Sequence, residues 1–296
     1  METLSCNLCG GTEYSVLFEE GMAQISRIVK CGSCGLLYAN PRKREADVDL
    51  IRNYDANWVY EHRETTNRWR SEKESLQVRD YRSTKRFLAE KFPRRGTLVE
   101  IGSGLGYLLN FFKSDGWDTI GIEPNAGLCL CAQRDLGLTT IEGTLDDAKL
   151  GTGYATVVTM MHVIEHVPDP MSIFREVYRI LTPGGYFVLE TPRYDTLMFK
   201  ILGRRERSVS CDGHIYFFTT DTLARMATKA GFGIIKTDYV GRSLTLERLF
   251  YNFGVMSKSA TIERTLRKIA NAMRFNRVAI TLNARHMQRV YLQKPA

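Results

Sequence analysis

An unbroken strand, glycine-rich turn and helix over residues 97–112 restricts the fold more than any other segment of the chain. An apolar strand at 98–101 runs into the turn Gly102-x-Gly104-x-Gly106, and apolar residues at helical spacing follow it. Glycine allows a turn to bring its backbone close to a ligand, and such a unit opens the nucleotide-binding half of a doubly wound sheet. The sequence therefore predicts an α/β protein with a Rossmann-like core.

Two details distinguish this turn from a dinucleotide site. Its glycines follow G-x-G-x-G spacing, whereas the pyrophosphate fingerprint is G-x-G-x-x-G. Glu100 lies just before the turn, where a carboxylate would repel a diphosphate and attract a cationic amino acid group. A second carboxylate, Glu123, ends the next strand about 20 residues later, where it can accept both ribose hydroxyls.

The first of these segments resembles the E/D-x-G-x-G-x-G motif of class I methyltransferases. The stretches EHVPDP at 165–170, LTPGG at 181–185 and H-x-x-x-F-T-x-x-x-L at 214–223 follow in order and are similar to segments of the ubiquinone-biosynthesis O-methyltransferases and related sugar methyltransferases. The resemblance implies S-adenosylmethionine as cofactor and a seven-stranded sheet that ends in an antiparallel pair. Together with the residue patterns, it gives as cofactor-binding residues Glu100, Gly102, Ser103, Gly104, Gly106, Tyr107, Glu123, Pro124, Thr144, Leu145, Met161 and His162.

The string His162-Val-Ile-Glu165-His166 also matches an inverted zinc-protease signature, which requires both histidines on one helix face. Here it follows a buried strand at 154–161 and precedes two prolines, so we expect a loop at the carboxyl edge of the sheet and no protease activity. Some relatives bind a divalent cation near an acidic residue at the position of His162. A histidine occupies that position in this chain, and the sequence leaves such a cation site open.

Methyl transfer to a hydroxyl group requires an aligned acceptor and removal of its proton. His166 and His214 are the predicted catalytic residues, because histidine exchanges protons near neutral pH. The alternative for each is a hydrogen bond that only fixes a loop.

Two C-x-x-C pairs, formed by Cys6, Cys9, Cys31 and Cys34, lie at the N-terminus. Four thiolates at this spacing favour tetrahedral zinc, with iron as the main alternative, and the apolar segments 14–20 and 25–30 between the pairs predict the strands of a zinc ribbon. A closed site of this kind is structural, and metal ligation by cysteine suits a reducing compartment. No apolar run reaches the ~18 residues of a membrane span, so a cytoplasmic location is expected. The other cysteines, Cys129, Cys131 and Cys211, are assigned no chemistry.

The predicted organisation has five parts: a zinc ribbon at 1–40, a connecting segment or lid at 41–74, a methyltransferase core at 75–240, a basic helical insertion at 241–286 between strands six and seven, and a final strand at 287–296. In the connecting segment, Tyr54, Trp58 and Tyr60 form either a lid over the cofactor or packing between ribbon and core.

The basic insertion carries most of the net charge of +8, because residues 242–285 contain nine Lys/Arg and two Asp/Glu. Its apolar residues recur at near-helical spacing: Leu244, Leu246, Leu249, Phe250, Phe253, Ile262, Leu266, Ile269 and Met273. We expect a helical cover on the core. Peripheral contact with an anionic membrane or with an acidic substrate is the alternative.

These observations favour an S-adenosylmethionine-dependent enzyme that O-methylates a small molecule, in the class of saccharides, quinone-like compounds or lipid-linked intermediates. The alternatives are a nucleic-acid methyltransferase that uses the ribbon and the basic insertion, and a non-catalytic module that binds S-adenosylmethionine. No Asn/Asp-Pro-Pro-aromatic motif follows strand four, which argues against methylation of nucleic-acid bases. Neither the acceptor nor the oligomeric state follows from the sequence.

Overall fold

The computed structural model describes residues 2–19, 27–42, 55–62, 76, 78–206, 208–209, 213–245, 261, 264–266, 268–269 and 279–296. The strands in these ranges are β1 Tyr14–Phe18, β2 Ile28–Cys31, β3 Leu37–Ala39, β4 Thr97–Ile101, β5 Asp118–Glu123, β6 Thr139–Glu142, β7 Ala155–Met161, β8 Leu181–Pro192, β9 Tyr216–Phe217, β10 Gly233–Thr245 and β11 Ala279–Gln293. The α-helices are α1 Ala56–Glu61, α2 Arg82–Lys91, α3 Tyr107–Lys113, α4 Ala126–Leu136, α5 Pro170–Ile180, α6 Leu197–Leu202 and α7 Thr220–Lys229, with 3-10 turns at Val78–Tyr81 and Gly203–Arg205.

Seven strands form the central sheet in the order β10-β11-β8-β7-β4-β5-β6. The five strands from β4 to β8 are parallel, and β11 lies antiparallel between β8 and β10. The order reverses between β4 and β7, which is where a doubly wound sheet opens a ligand crevice at its carboxyl edge. The predicted Rossmann-like sheet is confirmed.

The sheet is covered on both faces, because neighbouring residues of β4 point into different apolar clusters. Leu98 packs in one cluster with Leu88 of α2 and Leu109 of α3. Val99 packs in the other with Phe174 of α5, which has no exposed surface. This alternation is the two-residue period of a strand, and burial of each large apolar side chain stabilises the fold by about 1.5–3 kcal/mol.

The cysteine module comprises the described residues 2–19 and 27–42, and together with β9 it forms a second sheet with the order β1-β2-β3-β9. The sequence predicts its first two strands, but β3 and β9 are additions that the structure reveals. Leu37 pairs with Phe217 and Tyr38 with Tyr216, so the last strand of this module comes from the methyltransferase core. The module and the core therefore share a sheet and one apolar cluster.

Two predicted boundaries near the C-terminus are wrong. The sixth and seventh strands of the central sheet are longer than expected, since β10 continues to Thr245 and β11 begins at Ala279. Residues 242–245 thus pair with residues 279–282 as antiparallel arms of these strands and are not part of a helical insertion. The described residues between these arms, 261, 264–266 and 268–269, are helical.

The other apolar positions predicted for the insertion, Leu246, Leu249, Phe250, Phe253, Ile262 and Met273, lie outside the described residues, as do Tyr54 and Cys211. The side chain of Leu244 is outside them too. Among the described residues, no helix combines the length and the apolar character needed to cross a membrane.

The short helix α1 of the connecting segment packs on α4. Its buried Val59 lies against Gly127, where a Cβ atom would be 2.3 Å from the Cβ of Val59. Tyr60 Oη donates to Asp135 Oδ1 at 3.2 Å, whereas Trp58 is 45% exposed and stacks on His62. The segment therefore rests on the helix that follows Glu123.

Candidate functional site

The glycine turn brings its backbone close to two neighbouring segments. Gly102, Gly104 and Gly106 all have positive φ, of 72°, 55° and 81°. A Cβ atom at Gly102 would lie 2.3 Å from Val163 Cγ2. Only glycine fits there without displacing the loop after β7, so the turn and that loop are fixed against each other.

Glu123 connects the glycine turn to the turn after β5. Its Oε2 accepts from the backbone N–H of Gly104 at 2.9 Å, and its Oε1 accepts from that of Asn125 at 3.0 Å. The side chain is buried, and its backbone carbonyl accepts from Gly143 N at 3.0 Å. A carboxylate has about four acceptor positions, so this group can also accept ribose hydroxyls.

The remaining predicted cofactor residues lie along the same carboxyl edge of the sheet. Glu100 is buried in β4, between Gly121 and Thr159 of the neighbouring strands. Thr144 donates from its N–H and its hydroxyl to Asp147 at 2.8 Å, in the loop after β6. Met161 ends β7 and Tyr107 begins α3, and the others lie in the loops that follow the strands: Ser103, Pro124, Leu145 and His162. Their roles as cofactor contacts remain predictions.

The acceptor side is organised around the buried carboxylate of Glu165, which is 1% exposed. Its Oε2 accepts from the hydroxyl of Thr191 at 2.9 Å. Its Oε1 faces two imidazoles, with His162 Nδ1 at 3.8 Å and His214 Nε2 at 4.0 Å. Residues 162–169 form turns and bends, as expected, so the protease interpretation fails on geometry.

Glu165 and His214 have strongly shifted pKa values. Burial raises the pKa of Glu165, but the opposing effects of His162, His166 and His214 prevail and lower it to about 2. Burial lowers the pKa of His214 to about 4, against the attraction of Glu165. At neutral pH, Glu165 is therefore an anion and His214 is a neutral imidazole.

The two predicted catalytic histidines come together in this cluster. The ring centroids of His166 and His214 are 4.6 Å apart. His166 Nδ1 donates to the carbonyl of Gly213 at 2.9 Å, which leaves its Nε2 as a proton acceptor. His214 Nδ1 lies 3.3 Å from the hydroxyl of Tyr194, and its side chain is only 7% exposed.

Sequence reasoning missed the residues that hold His162. Its Nε2 lies 3.0 Å from Glu190 Oε1, and the other carboxylate oxygen of Glu190 is paired with the buried Arg289. His162 has a φ of 59°, an uncommon value for a residue other than glycine. The signal available in the sequence was Glu190, a charged residue in the otherwise apolar strand YFVLETP. Its ion-pair partner Arg289 lies 99 residues further along the chain, so the sequence did not indicate the pair.

The four N-terminal cysteines lie close together. Their sulfur atoms are all within 4.8 Å of one another, with 3.4 Å between Cys6 and Cys34 and 3.5 Å between Cys9 and Cys31. Zinc–sulfur bonds of about 2.3 Å in a tetrahedron require sulfur separations of about 3.8 Å. The four thiols thus fit zinc with small adjustments.

Magnesium, as one choice for the divalent cation implied by the resemblance, fits less well. The ligand atoms of Glu165, His166 and His214 lie within 4.8 Å of one another, but two of the three are imidazole nitrogens. Magnesium prefers oxygen ligands, and the nearby carboxylate of Glu190 is already paired with Arg289. The residues present therefore do not fit a magnesium site.

The strand order, the glycine turn and the buried carboxylate beside it define a class I S-adenosylmethionine-dependent methyltransferase. A family model described as a methyltransferase domain matches residues 69–237, which is more than half of the chain. The chain belongs to this methyltransferase family.

Relatives of known name include ubiquinone biosynthesis O-methyltransferases. The one from Psychrobacter arcticus is 30% identical over 158 residues, covering 49% of this chain and 61% of the relative. The one from Vibrio parahaemolyticus is 32% identical over 114 residues, covering 36% and 48%. The chain thus spans about half the length of these relatives.

Similar solved structures share the fold at low sequence identity. An S-adenosylmethionine-dependent methyltransferase from Thermotoga maritima has a TM-score of 0.50 at 19% identity, over 80% of this chain and 99% of the other. A chain from the complex of the Haloferax volcanii Trm112 methyltransferase activator with a methyltransferase has a TM-score of 0.52 at 17% identity, over 81% and 97%.

Proposed function

We propose that this protein transfers a methyl group from S-adenosylmethionine to a hydroxyl group of a small molecule, in the class of saccharides, quinone-like compounds or lipid-linked intermediates. The observation that carries the proposal is the position of the imidazole cluster around Glu165. It lies at the same sheet edge as Glu123, on the other side of the point between the paired strands β4 and β7 where the strand order reverses. The named O-methyltransferase relatives support oxygen as the methylated atom.

The two parts of this sheet edge would have different roles, one in cofactor binding and the other in acceptor activation. On one side, Glu123 and the glycine turn bind the nucleoside, and Glu100 attracts the amino acid end of the cofactor. When bound, S-adenosylmethionine supplies an electrophilic methyl group on a positively charged sulfur. On the other side, the imidazole cluster faces the acceptor, and one of its rings removes the proton.

His166 is the better base of the two predicted histidines. Its Nδ1–H is fixed on the carbonyl of Gly213, so Nε2 can take the hydroxyl proton as the oxygen attacks the methyl carbon. The positive charge that the ring gains is stabilised by the neighbouring anion of Glu165. His214 is buried and its lowered pKa disfavours the charged form, so it helps to position the cluster.

Structural zinc in the site of Cys6, Cys9, Cys31 and Cys34 is part of the proposal. The sulfur separations support it, and a closed site of four cysteines has no open coordination position for catalysis. We expect about one zinc ion per chain from elemental analysis, lost when Cys9 is replaced by serine.

The test is methyl transfer from labelled S-adenosylmethionine to hydroxylated small molecules and to RNA and DNA, together with calorimetry of cofactor binding. We expect His166→Gln to keep cofactor affinity within about threefold. The same variant should lose about 10²–10⁴-fold in turnover. Binding without transfer to any acceptor would instead favour a non-catalytic module, and salt-sensitive transfer to nucleic acid would favour that substrate. Absence of cofactor binding by the wild type would refute the proposal.

A further inference from the structure

Residues 162–169 form the acceptor loop. The side chain of Asn7, between Cys6 and Cys9, is hydrogen-bonded to the end of this loop. Asn7 Nδ2 donates to Asp169 Oδ1 at 2.8 Å, and its Oδ1 accepts from the backbone N–H of Met171 at 2.8 Å. Asp169 is the N-cap of α5, where its carboxylate accepts from Ser172 N at 2.9 Å. One side chain between Cys6 and Cys9 thus holds the point where the acceptor loop becomes a helix.

The third strand of the cysteine module holds the other half of the acceptor site. Ala39 N donates to the carbonyl of Ile215 at 2.8 Å, directly after His214. The N–H groups of Ile215 and Tyr216 in turn donate to the backbone carbonyl of Glu165, at 2.9 and 3.1 Å. Ile215, which directly follows His214, is therefore hydrogen-bonded both to β3 of the module and to the backbone of Glu165.

Further bonds join the module to the acceptor loop and to α7. Arg42 Nη2 donates to the carbonyl of Pro168 at 2.7 Å. Arg225 donates to the carbonyl of Cys34 at 3.1 Å, and Lys229 donates to that of Leu8. By contrast, the carboxylate of Glu123 is held by N–H groups of the core itself, those of Gly104 and Asn125.

We propose that the cysteine module is a part of the acceptor half of the active site, with Asn7 and Arg42 as positioning residues for Glu165, His166 and His214. This inference rests on the proposed function, including zinc in the module. Zinc would hold the two cysteine pairs together, and Asn7 lies between Cys6 and Cys9, so loss of the metal should displace Asn7 and with it the acceptor loop and the imidazole cluster. The cofactor half, fixed within the core, is much less sensitive to the metal.

The donor and acceptor pattern at Asn7 provides a sharp test. Asn7→Asp removes the N–H donor and places two carboxylates opposite each other. Adding Asp169→Asn in the same protein restores one donor and one acceptor between the two positions. Lys30→Ala, on the exposed side of β2, is the matched control. The chain has five histidines, so their ring signals can be assigned by single substitutions in NMR spectra.

We expect Asn7→Asp to retain zinc and to bind S-adenosylhomocysteine within about threefold of wild type, while the ring signals of His166 and His214 shift or broaden. The double variant should restore both signals, and Lys30→Ala should leave them unchanged. Removal of zinc with a chelator under reducing conditions should disturb the same two signals and spare ligand binding, and adding zinc back should reverse the effect.

Unchanged His166 and His214 signals in both Asn7→Asp and the chelated protein would overturn the inference. A loss of ligand binding parallel to the change in the histidine signals would also overturn it, because that result indicates a general loss of structure. If the wild type binds neither zinc nor S-adenosylhomocysteine, the proposed function itself has failed, and the two failures are thereby distinguished.

Discussion

Arg289 and Glu190 form an ion pair in the interior of the central sheet, at directly paired positions of β11 and β8. Arg289 Nη2 lies 2.6 Å from Glu190 Oε2, and Nε donates to the same oxygen at 2.7 Å. The arginine is fully buried and also donates to Asp80 O and Thr84 Oγ1. The second oxygen of Glu190 contacts His162, so the pair supports the acceptor site from within the core.

Breaking this pair on one side should be more harmful than removing both charges. Arg289→Met leaves the carboxylate of Glu190 buried without its cation, and we expect a loss of about 3–5 kcal/mol in the free energy of unfolding. Arg289→Met combined with Glu190→Met should lose less than the single variant, because no charge remains buried. Urea denaturation of the two single variants and the double variant measures the coupling. Additive losses would contradict this account.

Glu123→Gln should weaken cofactor binding, because an amide has one acceptor oxygen and its nitrogen would face a backbone N–H of Gly104 or Asn125. A single amide oxygen already engaged by one of these N–H groups accepts ribose hydroxyls less well, and loss of such a hydrogen bond to a charged group costs about 1.5–3 kcal/mol, or roughly 10–150-fold in affinity. Calorimetry with S-adenosylmethionine measures the effect. Glu142→Gln, at the exposed end of the neighbouring β6, is the control and should bind as the wild type does. Equal affinity of Glu123→Gln and wild type would exclude Glu123 as a ligand.

Acidification should destabilise the protein in two stages. An unfolded histidine titrates near 6.5, but the pKa of His214 is lowered to about 4 by burial, so the unfolded chain binds a proton in this interval that the folded protein does not. Stability therefore decreases as the pH falls from 6.5 towards 4, by about 3 kcal/mol from this group. Glu165, whose pKa is lowered to about 2 from 4.5, adds a further loss as the pH falls through that lower range.

The substitution His214→Gln should flatten the first stage of this pH dependence. Denaturation by urea across the interval measures it, with His62→Gln, at an exposed position of the connecting segment, as the control. The same slope in His214→Gln and in wild type would assign the first stage to another group.

Gly127→Ala should displace α1 from α4. The added Cβ would lie 2.3 Å from Val59 Cβ and 2.5 Å from Val59 Cγ1, both close to the backbone of α1 and unable to move without it. We expect faster proteolysis within residues 55–62 and a loss of about 1–3 kcal/mol in stability. Gly151→Ala, which meets no atom within 4 Å, is the control. Equal cleavage rates in the two variants would show that α1 does not depend on this contact.

The sequence alone predicted the cofactor half of the site, because its parts are local. Glu100, the glycine turn and α3 follow one another in 97–113, and Glu123 ends the next strand of the same unit. Apolar periodicity, glycine spacing and a carboxylate at a strand end are all visible over such short distances. The two cysteine pairs were recognisable for the same reason.

The sequence named His166 and His214, but only the tertiary structure determined how the acceptor half is assembled and supported. His162 and Glu165 follow β7, Glu190 lies near the end of β8, His214 precedes β9 and Arg289 lies in β11, so they meet only when the sheet is formed. The pairing of Tyr38 with Tyr216 likewise joins distant segments, and strand pairing leaves no local pattern that identifies the partner. The sequence contains these side chains, but their shared environment depends on long-range packing and burial, which also shift the pKa values of Glu165 and His214.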